Sequence, residues 1–133
     1  MKELSWSNTL SVEVDEIDDD HRKLVGLFNM LNHSVEDGDD PKYIEAVLEE
    51  LITCTAWHFR HEERLMVKYG YKDYEEHYSE HSKLIESARE LQQTLKQEGH
   101  QISNENIEFL DNWLTEHILV DDMRLGSFLA QVM

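Results

Sequence analysis

The chain has 133 residues, and its 29 Asp and Glu against 12 Lys and Arg give a formal net charge of −17. A surface this acidic repels phosphate backbones and anionic lipid headgroups, which argues against nucleic-acid and peripheral-membrane roles. The single cysteine excludes an internal disulfide, and no stretch approaches the roughly 18 consecutive apolar residues of a membrane helix. Because the start of the chain also lacks an apolar signal segment, we expect one soluble domain of the cytoplasm.

Turn and cap residues divide the chain into helical segments. Gly38 marks the end of the first segment, and Pro41 behind two aspartates starts the second. Gly70 closes the second segment and Gly99 the third, while Ser103 opens the fourth. The pattern predicts an ordered arm over residues 1–17 and then helices at about 18–37, 41–69, 73–98 and 103–122.

The apolar residues of all four segments repeat with the helical period. Four such helices with short connections predict an all-α fold, an antiparallel up-down-up-down four-helix bundle, as one domain over residues 1–133. Several histidines and a glutamate fall in register with the apolar stripes, so their side chains should face the core. The alternating helix directions bring them to the same end of the bundle; they are His21, His58, Glu62, His77, His81 and His117.

A buried cluster of this kind needs a partner. Each unpaired buried polar group costs roughly 1–3 kcal/mol, whereas a small domain has a net stability of only about 5–15 kcal/mol. Imidazole suits zinc, copper, iron or nickel, and the lack of cysteine clusters excludes iron–sulfur and thiolate zinc sites. Five histidines and two carboxylates, counting one from the fourth helix, are too many for one tetrahedral zinc. They favour two metal ions of higher coordination number, for which iron is our choice.

The carboxylate from the fourth helix is either Asp121 or Asp122. Asp121 lies four residues after His117, which suits one regular helical turn. Asp122 lies five residues after His117, which places it about 140° round a regular helix axis. Geometry alone favours Asp121 in a regular helix and Asp122 only where the helix widens.

The chain resembles the hemerythrin family, and more closely the single-domain bacterial hemerythrins. The matching motifs follow one another along the whole chain: Trp6, Ile17-Asp18 ahead of His21, His58-Phe59 with Glu62-Glu63 and Met66, Gly70-Tyr71, His77 and His81, and Trp113-Leu114 with His117-Ile118 and Asp122. Two positions depart from the family pattern. Cys54 stands where tyrosine is common, and Asp20 stands where glutamine is frequent, either raising the basicity of His21 or facing solvent.

The resemblance implies a pair of irons joined by an oxo or hydroxo bridge and by the carboxylates of Glu62 and Asp122. It therefore favours Asp122 over Asp121 and implies a local widening of the fourth helix. The remaining ligands would be His21 and His58 on one iron, and His77, His81 and His117 on the other. The first iron would keep an open position where dioxygen binds reversibly, so the resemblance implies an oxygen carrier, store or scavenger, not an enzyme.

Apolar side chains around the open position would exclude water. Leu114, Ile118 and Trp113 are the predicted walls of this oxygen pocket, with Phe59 and Trp57 as further candidates, and each could equally be an ordinary core residue. Two other function classes stay open. One is a di-iron enzyme, such as a peroxidase, nitric-oxide reductase or ferroxidase. The other is an oxygen-sensing domain, which the lack of room for an output module disfavours. The sequence leaves any protein partner unidentified.

Overall fold

The computed structural model describes residues 14–98 and 102–133. Within these ranges the chain is helical and has no strand: α1 is Asp15–Glu36, α2 is Pro41–Tyr69, α3 is Tyr74–Glu98, α4 is Asn104–Glu116 and α5 is Met123–Val132. A π-helical turn, His117–Asp122, joins α4 to α5, so these three segments form the fourth rod of the predicted bundle. Among the described residues, none of the helices combines the length and the apolar composition that a membrane crossing requires.

Local side-chain chemistry sets the ends of these helices. The Asp40 carboxylate accepts a hydrogen bond from the Lys42 backbone N–H at 2.8 Å and so caps the start of α2. Gly70 ends α2 with a φ of 70°, a left-handed conformation that glycine adopts without strain. Ser103 and Asn106 form a reciprocal capping box at the start of α4. Three of the predicted helix boundaries therefore have a clear physical cause.

Two boundaries differ from the sequence prediction. α1 already begins at Asp15, inside the predicted arm, while residues 1–13 of that arm, including Trp6, lie outside the described residues. The fourth rod does not end at Asp122 but continues to Val132. The reason is that Leu125 and Leu129, one helical turn apart, are both buried and extend the apolar stripe.

Two apolar clusters lie along the bundle. The large cluster is formed by α1, α2, α3 and α4 and includes Phe28, Leu31, Leu51, Ile52 and Leu110. The small cluster consists of Val14, Ile17, Leu65, Met66, Tyr71, Leu125 and Leu129. Along α1, α2 and the fourth rod, the polar residues of interest occur between residues of the two clusters. The candidate site is therefore a polar layer with apolar packing on either side.

Candidate metal centre

Five histidines and two carboxylates meet in this polar layer. Each has at most 6% of its surface exposed, and they are His21 from α1, His58 and Glu62 from α2, His77 and His81 from α3, and His117 and Asp122 from the π-helical turn. Their ring nitrogens and carboxylate oxygens form two groups, in each of which the atoms lie within 4.8 Å of one another: Glu62 and Asp122 with His77, His81 and His117, and the same two carboxylates with His21 and His58. The structure thus brings all seven predicted residues together.

The two oxygens of Glu62 face different groups of histidines. Oε1 lies 3.2 Å from His77 Nε2 and 2.9 Å from His81 Nε2. Oε2 lies 3.0 Å from His58 Nε2 and 3.8 Å from His21 Nε2. His58 and Glu62 are four residues apart on α2, which places both side chains on one helix face. A carboxylate divided in this way can serve two ions at once.

Asp122 divides its oxygens in the same manner. Oδ1 lies 2.9 Å from His117 Nε2 and 3.2 Å from His77 Nε2. Oδ2 lies 2.6 Å from His21 Nε2 and 3.5 Å from His58 Nε2. The two carboxylates therefore stand between a group of three histidines and a group of two, and all five imidazoles present Nε2 to them.

The π-helical turn decides between the two neighbouring aspartates. Residues five apart share a face where a helix widens to the i→i+5 hydrogen-bonding pattern, so His117 and Asp122 both point inward. Asp122 is fully buried, whereas the Asp121 side chain is 27% exposed and lies 3.6 Å from His117 Nδ1. The structure places Asp122 among the histidines, and the widening implied by the family resemblance is present.

Several buried atoms at the centre of the layer have no hydrogen-bond partner and are suited to bind metal ions. Among the described residues, Glu62 Oε2, His81 Nε2, His117 Nε2 and Asp122 Oδ1 are buried without a hydrogen-bond partner. His81 Nε2 is only 2.9 Å from Glu62 Oε1, yet the two atoms lack hydrogen-bond geometry. Neighbouring donors that do not bond to each other are expected where both aim at a common ion. Imidazole nitrogens with carboxylate oxygens suit iron or zinc.

The negative charges of the two carboxylates change the pKa of the surrounding histidines. Burial lowers the pKa of His58 and His117, but the carboxylates of Glu62 and Asp122 overcome this and raise it well above its usual value. The same opposition raises the pKa of His77 to about 9. Burial raises the pKa of both carboxyls, but the surrounding histidines bring it well below its usual value. Without metal the carboxylates are ionised and imidazoles hold protons, so metal binding must release protons.

Three further residues support the cluster from outside through contacts that the sequence pattern did not predict. Asp20 accepts hydrogen bonds at Oδ2 from His58 Nδ1 at 2.9 Å and from His61 Nδ1 at 2.7 Å. Glu63 accepts a hydrogen bond from His81 Nδ1 at 2.9 Å. Asp20 therefore bonds to His58, whereas the sequence led us to expect either an effect on His21 or exposure to solvent. The available signal was an acidic residue next to a ligand position in the sequence.

A small cavity adjoins the cluster. The cavity volume, counted as the space that the centre of a water molecule can occupy, is about 10 Å³. This is close to the minimum that one water molecule needs. Apolar groups dominate its wall, which is formed by Leu24, Thr55, Phe59, Trp113 and Leu114 together with His21 and His117. The Thr55 hydroxyl donates to the Leu51 carbonyl at 2.7 Å, and Trp113 Nε1 donates to the Leu84 carbonyl at 2.8 Å. Neither polar group is left free to donate into the cavity.

Only some of the residues predicted as walls of the oxygen pocket line the described cavity. Leu114, Trp113 and Phe59 line the cavity, and the Phe59 ring stacks on the His81 imidazole at 3.9 Å. Trp57 is 57% exposed, lies against His61 and does not line this cavity. The side chain of Ile118 lies outside the described residues.

Comparison with known proteins places this geometry in a family. The sequence matches the Hemerythrin HHE cation binding domain over residues 12–129. It is 33% identical to the bacteriohemerythrin of Pseudomonas paraeruginosa over 122 residues, covering 92% of this chain and 78% of that protein. It is 28% identical to the bacteriohemerythrin of Methylococcus capsulatus, covering 96% and 97%. A crystal structure of wild-type hemerythrin, 28% identical, has a TM-score of 0.87 and covers 96% of this chain and 98% of that one. The chain belongs to the hemerythrin family of cation-binding domains.

Proposed function

We propose that this protein holds two iron ions and binds dioxygen reversibly. The observation that carries the proposal is the division of both buried carboxylates. Glu62 and Asp122 each turn one oxygen toward a group of three histidines and the other toward a group of two. A side chain that presents its two oxygens to two sets of nitrogen donors is suited to bridge two ions.

The unequal histidine groups suit ligand binding at one ion. His77, His81 and His117 would hold one iron, and His21 and His58 would hold the other, with Glu62 and Asp122 shared by both. The ion held by two histidines would have one protein donor fewer, and His21 lines the small cavity. When bound, an iron pair of this kind supplies an open coordination position and the electrons that a diatomic ligand accepts reversibly.

The chain's own residues would keep that position dry. Leu24, Trp113 and Leu114 form apolar wall, and the Thr55 hydroxyl is engaged by the Leu51 carbonyl. A largely apolar wall would exclude water, which is the nearest source of protons. We therefore infer binding instead of catalysis.

The role and the location of the protein are inferred from its relatives and its composition. The similarity to bacteriohemerythrins supports the oxygen carrier, store or scavenger that the family resemblance implies. The acidic composition supports a protein that binds neither nucleic acid nor anionic membranes, and the single cysteine suits the reducing cytoplasm.

Anaerobic reconstitution with ferrous salt tests the proposal. The protein should take up two iron ions per chain, gain an optical band on exposure to air, and lose that band under vacuum through several cycles. An iron content well below two would contradict the metal centre. Two irons with rapid, irreversible bleaching in air would contradict reversible binding and favour a di-iron enzyme.

A further inference from the structure

A chain of hydrogen bonds leads from the two-histidine group to the surface. Asp20 Oδ2 accepts from His58 Nδ1 at 2.9 Å and from His61 Nδ1 at 2.7 Å, and the Asp20 side chain is only 14% exposed. On the outer side, His61 Nε2 lies 3.2 Å from Glu16 Oε2. Asp20 is therefore held from two directions, by an inner and an outer imidazole.

The inner hydrogen bond determines what His58 offers to the metal centre. A carboxylate only accepts, so the Nδ1 that bonds to it carries the proton, and the lone pair of the neutral ring is then on Nε2. Nε2 is the atom of His58 that faces Glu62 at 3.0 Å. The same bond also fixes the rotation of the ring, because the hydrogen bond is directional.

We propose that Asp20 is the positioning residue for the two-histidine half of the metal centre, with His61 anchoring it. The inference rests on the proposed metal centre and adds to it a residue that touches no metal. Among the described residues, His21 Nδ1, in the same half, has no hydrogen-bond partner. The support of this half therefore depends on Asp20, whereas Glu63 supports His81 in the three-histidine half. Carboxylate partners of ligating histidines typically contribute 10–100-fold to metal affinity.

The test uses Asp20→Asn with Asp19→Asn as its control. Asn keeps the shape of the side chain and removes the charge. Asp19 is the neighbouring residue, is 73% exposed and pairs with Arg22 at 3.0 Å, so its replacement changes the net charge equally without touching the site. Zinc is the probe, because it needs no dioxygen, and its affinity is measured by titration of the metal-free full chain against a competing chelator.

The wild-type chain should bind two zinc ions. Asp20→Asn should weaken one of the two by about 10–100-fold, as expected for loss of such a partner, and Asp19→Asn should leave both affinities within about twofold. Glu63→Gln should weaken the other ion instead. Unchanged affinities in Asp20→Asn would overturn the role of Asp20 while leaving the metal centre intact. Failure of the wild-type chain to bind two metals would overturn the metal centre and this inference with it.

A second readout separates positioning from general stability. In the zinc-loaded protein, nitrogen–proton NMR correlation should show a protected His58 Nδ1–H, and Asp20→Asn should shift this signal and accelerate its exchange. If Asp20→Asn does not fold, His61→Leu leaves Asp20 in place and removes its outer donor; the expected result is a smaller change of the same signal and of the same zinc affinity. A His58 signal that is indifferent to both variants would refute the proposal.

Discussion

Removing the metal ions should lower the unfolding temperature by about 12 °C. The structure supplies the magnitude. Besides Nδ1 of His21 and of His117, four buried atoms that a metal ion could bind have no hydrogen-bond partner among the described residues: Glu62 Oε2, His81 Nε2, His117 Nε2 and Asp122 Oδ1. Each such atom costs about 1–3 kcal/mol. Protons retained by the histidines offset part of the penalty, so we take the lower end, about 4 kcal/mol in total. For a domain of this size, 1 kcal/mol corresponds to about 3 °C.

The assay is thermal unfolding followed by far-ultraviolet circular dichroism. Metal-free protein in excess chelator is compared with protein loaded with two zinc ions, and magnesium serves as a control cation because it prefers oxygen ligands. Zinc should raise the midpoint and magnesium should leave it unchanged. If the metal-free midpoint lies within about 3 °C of the loaded one, the unpaired atoms carry no penalty of about 4 kcal/mol.

Three further outcomes follow from the site. Asp122→Ala should reduce metal content from two ions to at most one, whereas Asp121→Ala should retain two, as measured by elemental analysis. Leu114→Ala should destabilise the fold by about 2–5 kcal/mol and hasten oxidation of the oxygenated protein by admitting water; an unchanged oxidation rate would count against a dry wall. The pKa of His77 is raised from 6.5 to about 9, so its stabilising contribution to metal-free protein is complete below pH 6.5 and lost as pH rises through 9. The metal-free melting temperature should fall across that interval, and a flat profile would exclude the coupling.

Helical periodicity made most of the cluster predictable from sequence. His58 with Glu62 and His77 with His81 are four residues apart in register with apolar stripes, and that spacing dictates a shared, inward face. Asp122 required the family resemblance, because a regular helix favours Asp121 and the widened turn has no signature in spacing alone.

The hydrogen bonds that support the metal ligands from outside could not be predicted from the sequence pattern. The bonds from Asp20 to His58 and His61 join α1 to α2, and depend on the distance between helices, which periodicity does not specify. The expectation for Trp57 did not take helical periodicity into account. It lies one residue from His58, but on a helix neighbouring residues point about 100° apart, and its ring faces solvent.

The widened turn also governs how the fourth rod is assembled. One extra residue in a single turn rotates everything that follows by about 100° relative to an uninterrupted α-helix. If residues 117–122 formed a regular α-helix instead, Asp122 would turn away from the centre. Leu125 and Leu129, three and seven residues after it, would turn out of the small cluster with it. The π-helical turn allows the residues before it and the residues after it to face the core independently. A metal ligand and the apolar residues of the small cluster can therefore lie on the same rod.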